Sequence, residues 1–159
     1  MREFVGDIWS LTETHDIVIP TNIGFKHDYQ AVMGAGLAKQ CLERYSKTDT
    51  RGRNWVALWY GRICAACGPW TPVSIHPLHP LVMFPIKPMN YDDPGLSWRN
   101  PSAIGLIERS AYQLATLRLG PVAMPMIECE YGGLTEDVVV TTLERALGDL
   151  SHITLVRER

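Results

Sequence analysis

Short apolar runs that alternate with amphipathic segments of helix length constrain the fold of this chain more than any other feature. The longest uninterrupted apolar stretches, such as Leu81–Ile86 and Pro121–Ile127, contain six and seven residues. These lengths are typical of buried strands and fall far below the ~20 residues that a membrane-spanning helix needs. Between such runs, apolar residues recur at spacings of three and four, as on one face of a helix. We therefore expect an α/β fold with a central, mixed but mostly parallel sheet and helices on both faces.

The same pattern predicts the individual elements. The predicted strands are Glu3–Val5, Asp16–Pro20, Trp55–Tyr60, Leu81–Ile86, Val122–Met126 and Ile153–Val156. The predicted helices are Gly34–Tyr45, a helix that Asn100 caps and that runs to about Leu119, and a helix that Thr135 caps and that ends at Gly148. Two stretches rich in Pro, Gly, His and Trp are predicted as loops, and long loops are often functional. They are Gly61–Pro80 and Lys87–Asn100.

Composition restricts the class of protein and its partners. A length of 159 residues predicts one domain, spanning residues 1–159. Fifteen Lys and Arg against seventeen Asp and Glu give a net charge of −2, which excludes a broad polybasic surface for nucleic acid. Four cysteines do not make a disulfide scaffold, and the N-terminus carries no apolar run of the signal-peptide kind. We expect a cytoplasmic protein with no membrane partner.

Two glycine-bearing loops, each between a strand and a helix, suggest a phosphate ligand. The first, Met33-Gly34-Ala35-Gly36, opens the helix that follows the strand ending at Asn22. The second, Gly132-Gly133, precedes the helix capped by Thr135. Glycine lets a ligand approach the backbone, and the N–H groups and dipole of a helix start favour an anion. The alternative is that each loop needs glycine only in order to turn.

Four motifs in this order resemble a macrodomain, the ADP-ribose-binding fold. They are G-D-I at Gly6–Ile8, V-I-P-T-N at Val18–Asn22, M-G-A-G-L-A at Met33–Ala38, and P-M-I-E-C-E-Y-G-G-L at Pro125–Leu134. The third motif, with F-P-I-K at Phe84–Lys87, resembles the branch of terminal ADP-ribose glycohydrolases and of antitoxins that strip ADP-ribose from DNA. The resemblance implies a three-layer α/β/α sandwich.

The resemblance assigns binding roles to named residues. Asp7 would accept a hydrogen bond from the adenine amino group, Ile8 would pack on the base, and Asn22 would position the distal ribose. For Asp7 and Asn22 the alternative is an ordinary turn residue. Three aromatic residues, Phe25, Tyr131 and Trp98, are candidates to stack on adenine or close over ribose. The two phosphate loops would be Met33, Gly34, Ala35, Gly36 and Leu37, and Gly132, Gly133 and Leu134.

Lys87 matches the lysine that attacks the anomeric carbon of the distal ribose in this branch. A lysine attacks only as the neutral amine, which burial or a neighbouring cation favours; the alternative is a solvated lysine at a strand end. The second loop departs from the branch, since Glu128-Cys129-Glu130 replaces G-C-G. By this resemblance, Gly132 stands where the glycohydrolases carry a catalytic Asp and where the DNA-directed antitoxins carry a glycine. Glu130 is a candidate to supply this acid, with an ion-paired or solvated Glu130 as the favoured alternative.

The resemblance implies a hydrolase that removes mono-ADP-ribose ester-linked to Glu or Asp side chains of modified proteins. It implies no metal and no organic cofactor. One alternative is a reader that binds ADP-ribose without cleaving it. Another is a hydrolase of ADP-ribosylated DNA, for which Arg51, Arg53 and Arg62 would form a small basic patch.

Other patterns have less specific interpretations. Cys64, Cys67, His76 and His79 are residue types that bind zinc, but their spacing is not that of a zinc finger. A loop with incidental cysteines is favoured. Trp9, Trp55 and Trp59 are predicted to lie in the core or on a sheet face.

Overall fold

The computed structural model describes residues 1–117, 119–127, 134–148 and 151–159. Its strands are β1 (Arg2–Val5), β2 (Asp16–Asn22), β3 (Ser74–Ile75), β4 (Leu81–Lys87), β5 (Val122–Pro125) and β6 (Ile153–Arg157). Its α-helices are α1 (Gly36–Arg44), α2 (Trp55–Cys67), α3 (Ile104–Thr116) and α4 (Glu136–Leu147). Short 3-10 helices span Ile8–Leu11, Gly68–Trp70 and Pro94–Arg99.

The strands form one mixed sheet in the order β1-β6-β5-β2-β4-β3. Every neighbouring pair is parallel except β3 with β4, which confirms the predicted mostly parallel sheet. Buried residues of α1 and α2 form one core cluster, and those of α3 and α4 form a second. The helices therefore cover both faces, and the chain is a three-layer α/β/α sandwich.

The central strands β2 and β4 separate the two cores. Ile17 and Ile19 belong to the cluster with α1 and α2, whereas Val18 between them belongs to the cluster with α3 and α4. This alternation follows from the two-residue period of a strand. Because both faces of these strands are buried, they appear in the sequence as continuous apolar runs.

Helix α2 corrects the prediction for this part of the chain. Trp55–Tyr60 is the first half of a helix rather than a strand, and Gly61–Cys67 continues that helix instead of forming a loop. The Asn54 side chain caps it, accepting hydrogen bonds from the backbone N–H groups of Val56 at 2.9 Å and Ala57 at 3.1 Å. A short apolar run does not distinguish a strand from a buried helix, and the cap at Asn54 was the missed signal.

Gly61 lies inside α2 because another segment passes against it. A Cβ atom at this position would overlap the carbonyl oxygen of Tyr29 and lie 2.6 Å from the Ala31 nitrogen. The backbone here is tied further to the helix, since Ala31 N–H donates to the Ala57 carbonyl at 2.7 Å. Glycine is thus needed for close approach, and not for a turn.

The remaining boundaries shift by a few residues. Thr135 caps α4 and Gly148 follows its last residue, as predicted. The predicted cap Asn100 is wrong, because α3 begins at Ile104 after Ala103. No helix within the described ranges is long and apolar enough to cross a membrane.

Candidate functional site

The carboxyl ends of five strands share one edge of the sheet, since β1, β6, β5, β2 and β4 are mutually parallel. Asp7 follows β1, and Asn22 and Lys87 are the last residues of β2 and β4. The predicted second glycine loop follows β5. In open α/β sheets this edge is where ligands bind.

Asn22 and Lys87 are brought side by side. They are register partners across a β-bulge that skips Ile86, and the next N–H along, that of Ile23, donates to the Lys87 carbonyl at 3.2 Å. Two residues that lie far apart in the sequence therefore meet at the junction of the two central strands.

The Asn22 side chain closes the loop that follows β2. Its Nδ2 donates to the Val32 carbonyl at 3.0 Å, and its Oδ1 accepts from the Gly24 N–H at 3.0 Å. Asn22 is therefore in part an ordinary turn residue, as the alternative interpretation of the sequence expects. An amide has a second N–H and a second lone pair, and the described residues leave both without a partner.

Lys87 is half-buried, and the backbone on both sides of it is fixed. The Ile86 carbonyl accepts from Ala103 N–H at 2.9 Å, and the Pro88 carbonyl accepts from Asn100 Nδ2 at 2.9 Å. No carboxylate of the described residues lies within 4.0 Å of the Lys87 Nζ. The backbone of Lys87 is therefore fixed at the strand end, and its amine has no ion pair from this part of the chain.

The first glycine loop leads directly from Asn22 to a helix N-terminus. Met33 is buried, whereas Gly34, Ala35 and Gly36 are exposed. A Cβ atom at Gly34 or at Gly36 would meet nothing within 4 Å, and Gly36 has a φ of +54°. The loop is thus open to solvent on the side where a ligand would approach.

Helix α1 has no side-chain cap, since Ala35 occupies the cap position, and no acid lies in its first turn. Within the described ranges, no acceptor is hydrogen-bonded to the N–H groups of Gly36, Leu37 and Ala38. Such N–H groups carry the positive end of the helix dipole. The arrangement can hold an anion, and a phosphate is the preferred guest.

Asp7 lies on the same edge, in the turn after β1. It is exposed and caps the 3-10 helix Ile8–Leu11, with Oδ1 accepting from the Trp9 N–H at 3.0 Å. Ile8 is buried in the core under this turn. The Trp9 indole donates to Gln40 Oε1 at 2.9 Å, which fixes the turn against α1.

Most of the predicted second glycine loop lies outside the described residues. This applies to Glu128, Cys129, Glu130, Tyr131, Gly132 and Gly133. Leu134 is described, and it packs against the core cluster of α3 and α4. The Thr135 hydroxyl accepts from the Val138 N–H at 3.4 Å, and Glu136 and Asp137 occupy the first turn of α4.

The two loops that leave β2 and β4 contact each other closely. A Cβ atom at Gly24 would overlap the Pro94 carbonyl oxygen and lie 2.5 Å from Ser97 Oγ. The Ser97 hydroxyl donates to that same carbonyl at 2.7 Å and accepts from the Asn90 N–H at 2.9 Å. The predicted loop Lys87–Asn100 is therefore ordered against the site.

Aromatic rings lie on these two loops, and Tyr29 and Trp98 are exposed whereas Phe25 is half-buried. Phe25 and Tyr29 stack with centroids 6.3 Å apart and planes 5° apart. Trp98 is 55% exposed, and the Arg99 guanidinium lies 5.2 Å from its ring centroid. Sequence reasoning identified Phe25 and Trp98 but missed Tyr29, whose stacking depends on a backbone φ of +67°.

The zinc alternative does not fit the structure. Cys64 is buried, and burial raises the pKa of its thiol to about 12, which disfavours the thiolate that binds metal. The His76 and His79 rings stack on each other at 4.8 Å, beside Trp59 and Tyr45. Among the described residues, no group of three or more candidate ligands could hold a metal ion.

The predicted placement of the tryptophans is correct only in part. Trp9 is buried, as expected, but Trp55 is 56% exposed. It lies on the outer face of α2 because the predicted strand is a helix there.

Solved structures with the same fold are similar to this chain over almost its whole length. The macrodomain of Thermus aquaticus DarG matches with 22% identity and a TM-score of 0.66, covering 99% of this chain and 97% of its own. The macrodomain of Mycobacterium tuberculosis DarG matches with 22% identity and a TM-score of 0.66, with coverages of 99% and 95%.

A third structure, of Thermosipho africanus DarTG in complex with ADP-ribose, matches with 18% identity and a TM-score of 0.68. All of this chain is covered, but only 42% of the DarTG chain. No protein-family model matches the chain, and no curated protein matches it. At these identities the structural likeness establishes the fold.

Proposed function

Starting from the macrodomain fold of this chain, we propose that the protein binds ADP-ribose and hydrolyses its bond to a macromolecule. The observation that carries the proposal is the position of Asn22 and Lys87 beside each other at the ligand edge, joined by one loop to the uncapped N-terminus of α1. The anion site thus lies at one end of this loop, and Asn22, the register partner of Lys87, lies at the other.

The uncapped start of α1 supports binding of the diphosphate. Gly34 and Gly36 leave open space for phosphate oxygens, and the first-turn N–H groups, which have no acceptor among the described residues, would donate to them. The second loop, at Gly132, Gly133 and Leu134, would contact the diphosphate from the other side. The DarTG structure, determined in complex with ADP-ribose, shares this fold and supports the choice of ligand.

The two ends of the ligand, adenine and distal ribose, would be held by residues that the family resemblance assigns to them. Asp7 uses Oδ1 for its own turn, so Oδ2 would accept the adenine amino group. Ile8 supports that turn from the core. Tyr131 and Phe25 would border the ribose, and the N–H and lone pair of the Asn22 amide that the described residues leave without a partner would bond its hydroxyls.

Lys87 would supply the chemistry at the distal ribose. Its neutral Nζ attacks the anomeric carbon, the C–O bond to the leaving carboxylate breaks, and the carboxylate departs with the bonding electron pair. Water then adds at the same carbon and releases the lysine. Glu130 would accept the proton from that water. It would thereby take the place of the catalytic Asp that the glycohydrolases carry at the position of Gly132.

The substrate we propose is mono-ADP-ribose ester-linked to Glu or Asp of a modified protein. ADP-ribosylated DNA is the second candidate, because Gly132 and the Phe84–Lys87 segment match the DNA-directed branch of the resemblance. Arg53 contributes little to the basic patch of that alternative, since it is ion-paired with Asp49 at 2.8 Å.

Parallel assays distinguish these functions. The wild-type protein is incubated with a Glu-modified protein and with an ADP-ribosylated oligonucleotide, and free ADP-ribose is measured by mass spectrometry. Release from the protein alone supports the first substrate, and release from the oligonucleotide alone supports the second. Calorimetric binding of ADP-ribose without release from either would identify a reader.

A further inference from the structure

Helix α2 is apolar on its outer face as well as on its inner face. The inner face buries Val56, Tyr60 and Cys64 in the core. The outer face carries Trp55, Trp59, Arg62, Ile63 and Ala66, and Arg62 is the only charged residue of the helix. A helix that is apolar all round is ordinarily covered on all sides.

The outer face of α2 lines a groove of about 660 Å³, whose other wall is formed by Asp49 and Arg53. Trp55, which lines the groove, is 56% exposed. Two tryptophans, Trp55 and Trp59, line this groove. Tryptophan and arginine are the residues most enriched at the energetic centres of protein interfaces.

The charges of the groove favour a protein partner over a nucleic-acid strand. Arg53 is bonded through Nε to Asp49 at 2.8 Å, and the same carboxylate accepts from the N–H groups of Arg51 and Arg53. Within the described residues, Arg62 is the only guanidinium lining the groove that has no carboxylate within 4.0 Å. Binding to a phosphate backbone needs several such cations.

We propose that this face is where two copies of the chain associate, with α2 antiparallel to α2 of the other copy. The size of the side chains changes along the face, from Trp55 at the start to Ala66 eleven residues later, a distance of about 16 Å. A two-fold axis at the middle of α2 sets Trp55 of each copy against Ala66 of the other. A parallel arrangement would set bulk against bulk at one end and leave a gap at the other.

The same axis matches the remaining residues of the face. In an antiparallel pair, a step forward along one helix corresponds to an equal step backward along the other. Trp59 lies four residues after Trp55, and Arg62 lies four residues before Ala66. The alignment of Trp55 with Ala66 therefore also aligns Trp59 with Arg62. Each Arg62 guanidinium then lies over a Trp59 ring, a favourable cation–π contact. Because the interface uses the same patch on both copies, each contact occurs twice.

The area available indicates an interface of moderate strength. Four tryptophan rings from two copies account for on the order of a few hundred Å² of the roughly 1,200–2,000 Å² that a stable interface buries. We therefore expect a reversible dimer.

Sedimentation velocity over about 1–100 µM tests the proposal. The wild type should shift from monomer to dimer, and W55E should remain monomeric. W55A and A66W should each weaken the dimer about tenfold or more, whereas the double variant W55A/A66W should restore it because it exchanges bulk and space. W98A removes an exposed tryptophan elsewhere and should leave the dimer unchanged, with circular dichroism confirming that each variant folds.

A monomer throughout this range would overturn the proposal, and so would a dimer that W55E does not weaken. A double variant no stronger than either single variant would overturn the antiparallel pairing. The inference is independent of the proposed hydrolase activity, since neither Trp55 nor Ala66 belongs to the ligand edge.

Discussion

Asn22 and Lys87 are register partners at the carboxyl ends of two adjacent parallel strands, and the Lys87 carbonyl accepts the hydrogen bond of the next residue, Ile23. Neighbouring strands lie about 4.8 Å apart, so the backbones of these residues are separated by one strand spacing. Their relative position is therefore fixed by the sheet itself and does not depend on a long loop. A ribose that bonds Asn22 would be within reach of the Lys87 side chain.

Replacing Asn22 with Ala should reduce both stability and ADP-ribose affinity. The amide bonds the Val32 carbonyl and the Gly24 N–H, and the loss of two such bonds should cost about 1–3 kcal/mol in the free energy of unfolding. Urea denaturation measures the first effect and calorimetry the second. Glu13→Gln, on an exposed residue, is the control; unchanged stability of the Asn22 variant would contradict the loop-closing role.

Replacing Gly34 with Val should separate binding from folding. A Cβ here meets nothing within 4 Å, so the free energy of unfolding should stay within about 0.5 kcal/mol of wild type. The added side chain would occupy the space of the diphosphate, and we expect ADP-ribose affinity to fall about tenfold or more. Gly120→Val, also in open space, should leave affinity unchanged. Equal affinities for both variants would rule out a phosphate site at this loop.

Two Gly→Ala substitutions inside helices should change the stability of the protein in opposite directions. Gly61→Ala should destabilise the protein by about 1–3 kcal/mol or more, because its Cβ overlaps the backbone of Tyr29 and Ala31. Gly105→Ala, exposed in α3 with no atom within 4 Å, should stabilise it by about 0.5–1 kcal/mol. Thermal denaturation of the pair checks both, and two shifts of the same sign would mean that the contact at Gly61 is not made.

The buried thiols should make stability depend on alkaline pH. Burial raises the pKa of Cys41 and of Cys64 from 9.0 to about 12. The folded state therefore keeps both protons where the unfolded chain has lost them. This contribution to stability is complete below pH 9 and decreases as the pH rises from 9 towards 12. Urea denaturation at pH 8 and pH 10 should show the decrease for wild type and a smaller one for C41A/C64A; equal decreases would contradict this cause.

Strands and helices with a clear period were predictable, and α2 was not. The apolar run of β4 is a local signal for a buried strand, and the cap at Thr135 is a local signal for the start of a helix. The run Trp55–Tyr60 carries no period because both faces of α2 are apolar, and the size-matched outer face could be seen only once the helix was known. The close contact at Gly61 is a tertiary feature with no local sequence signal.

The candidate site was predictable only through motifs. M-G-A-G marks the uncapped start of α1, but only the sheet register shows that Asn22 and Lys87 are neighbours. The contact of Gly24 with Ser97 joins segments about 70 residues apart, which no local pattern encodes. The roles of Glu130, Tyr131, Gly132 and Gly133 stay predictions, because these residues lie outside the described ranges.

The rate of ADP-ribose release by wild type and by Lys87→Ala, on the modified protein and the modified oligonucleotide, tests the proposed chemistry most directly. Wild type should release ADP-ribose from one of the two, and Lys87→Ala should do so at least ~10²-fold more slowly while binding ADP-ribose with similar affinity. Release by Lys87→Ala at the wild-type rate would contradict the role of Lys87 as nucleophile.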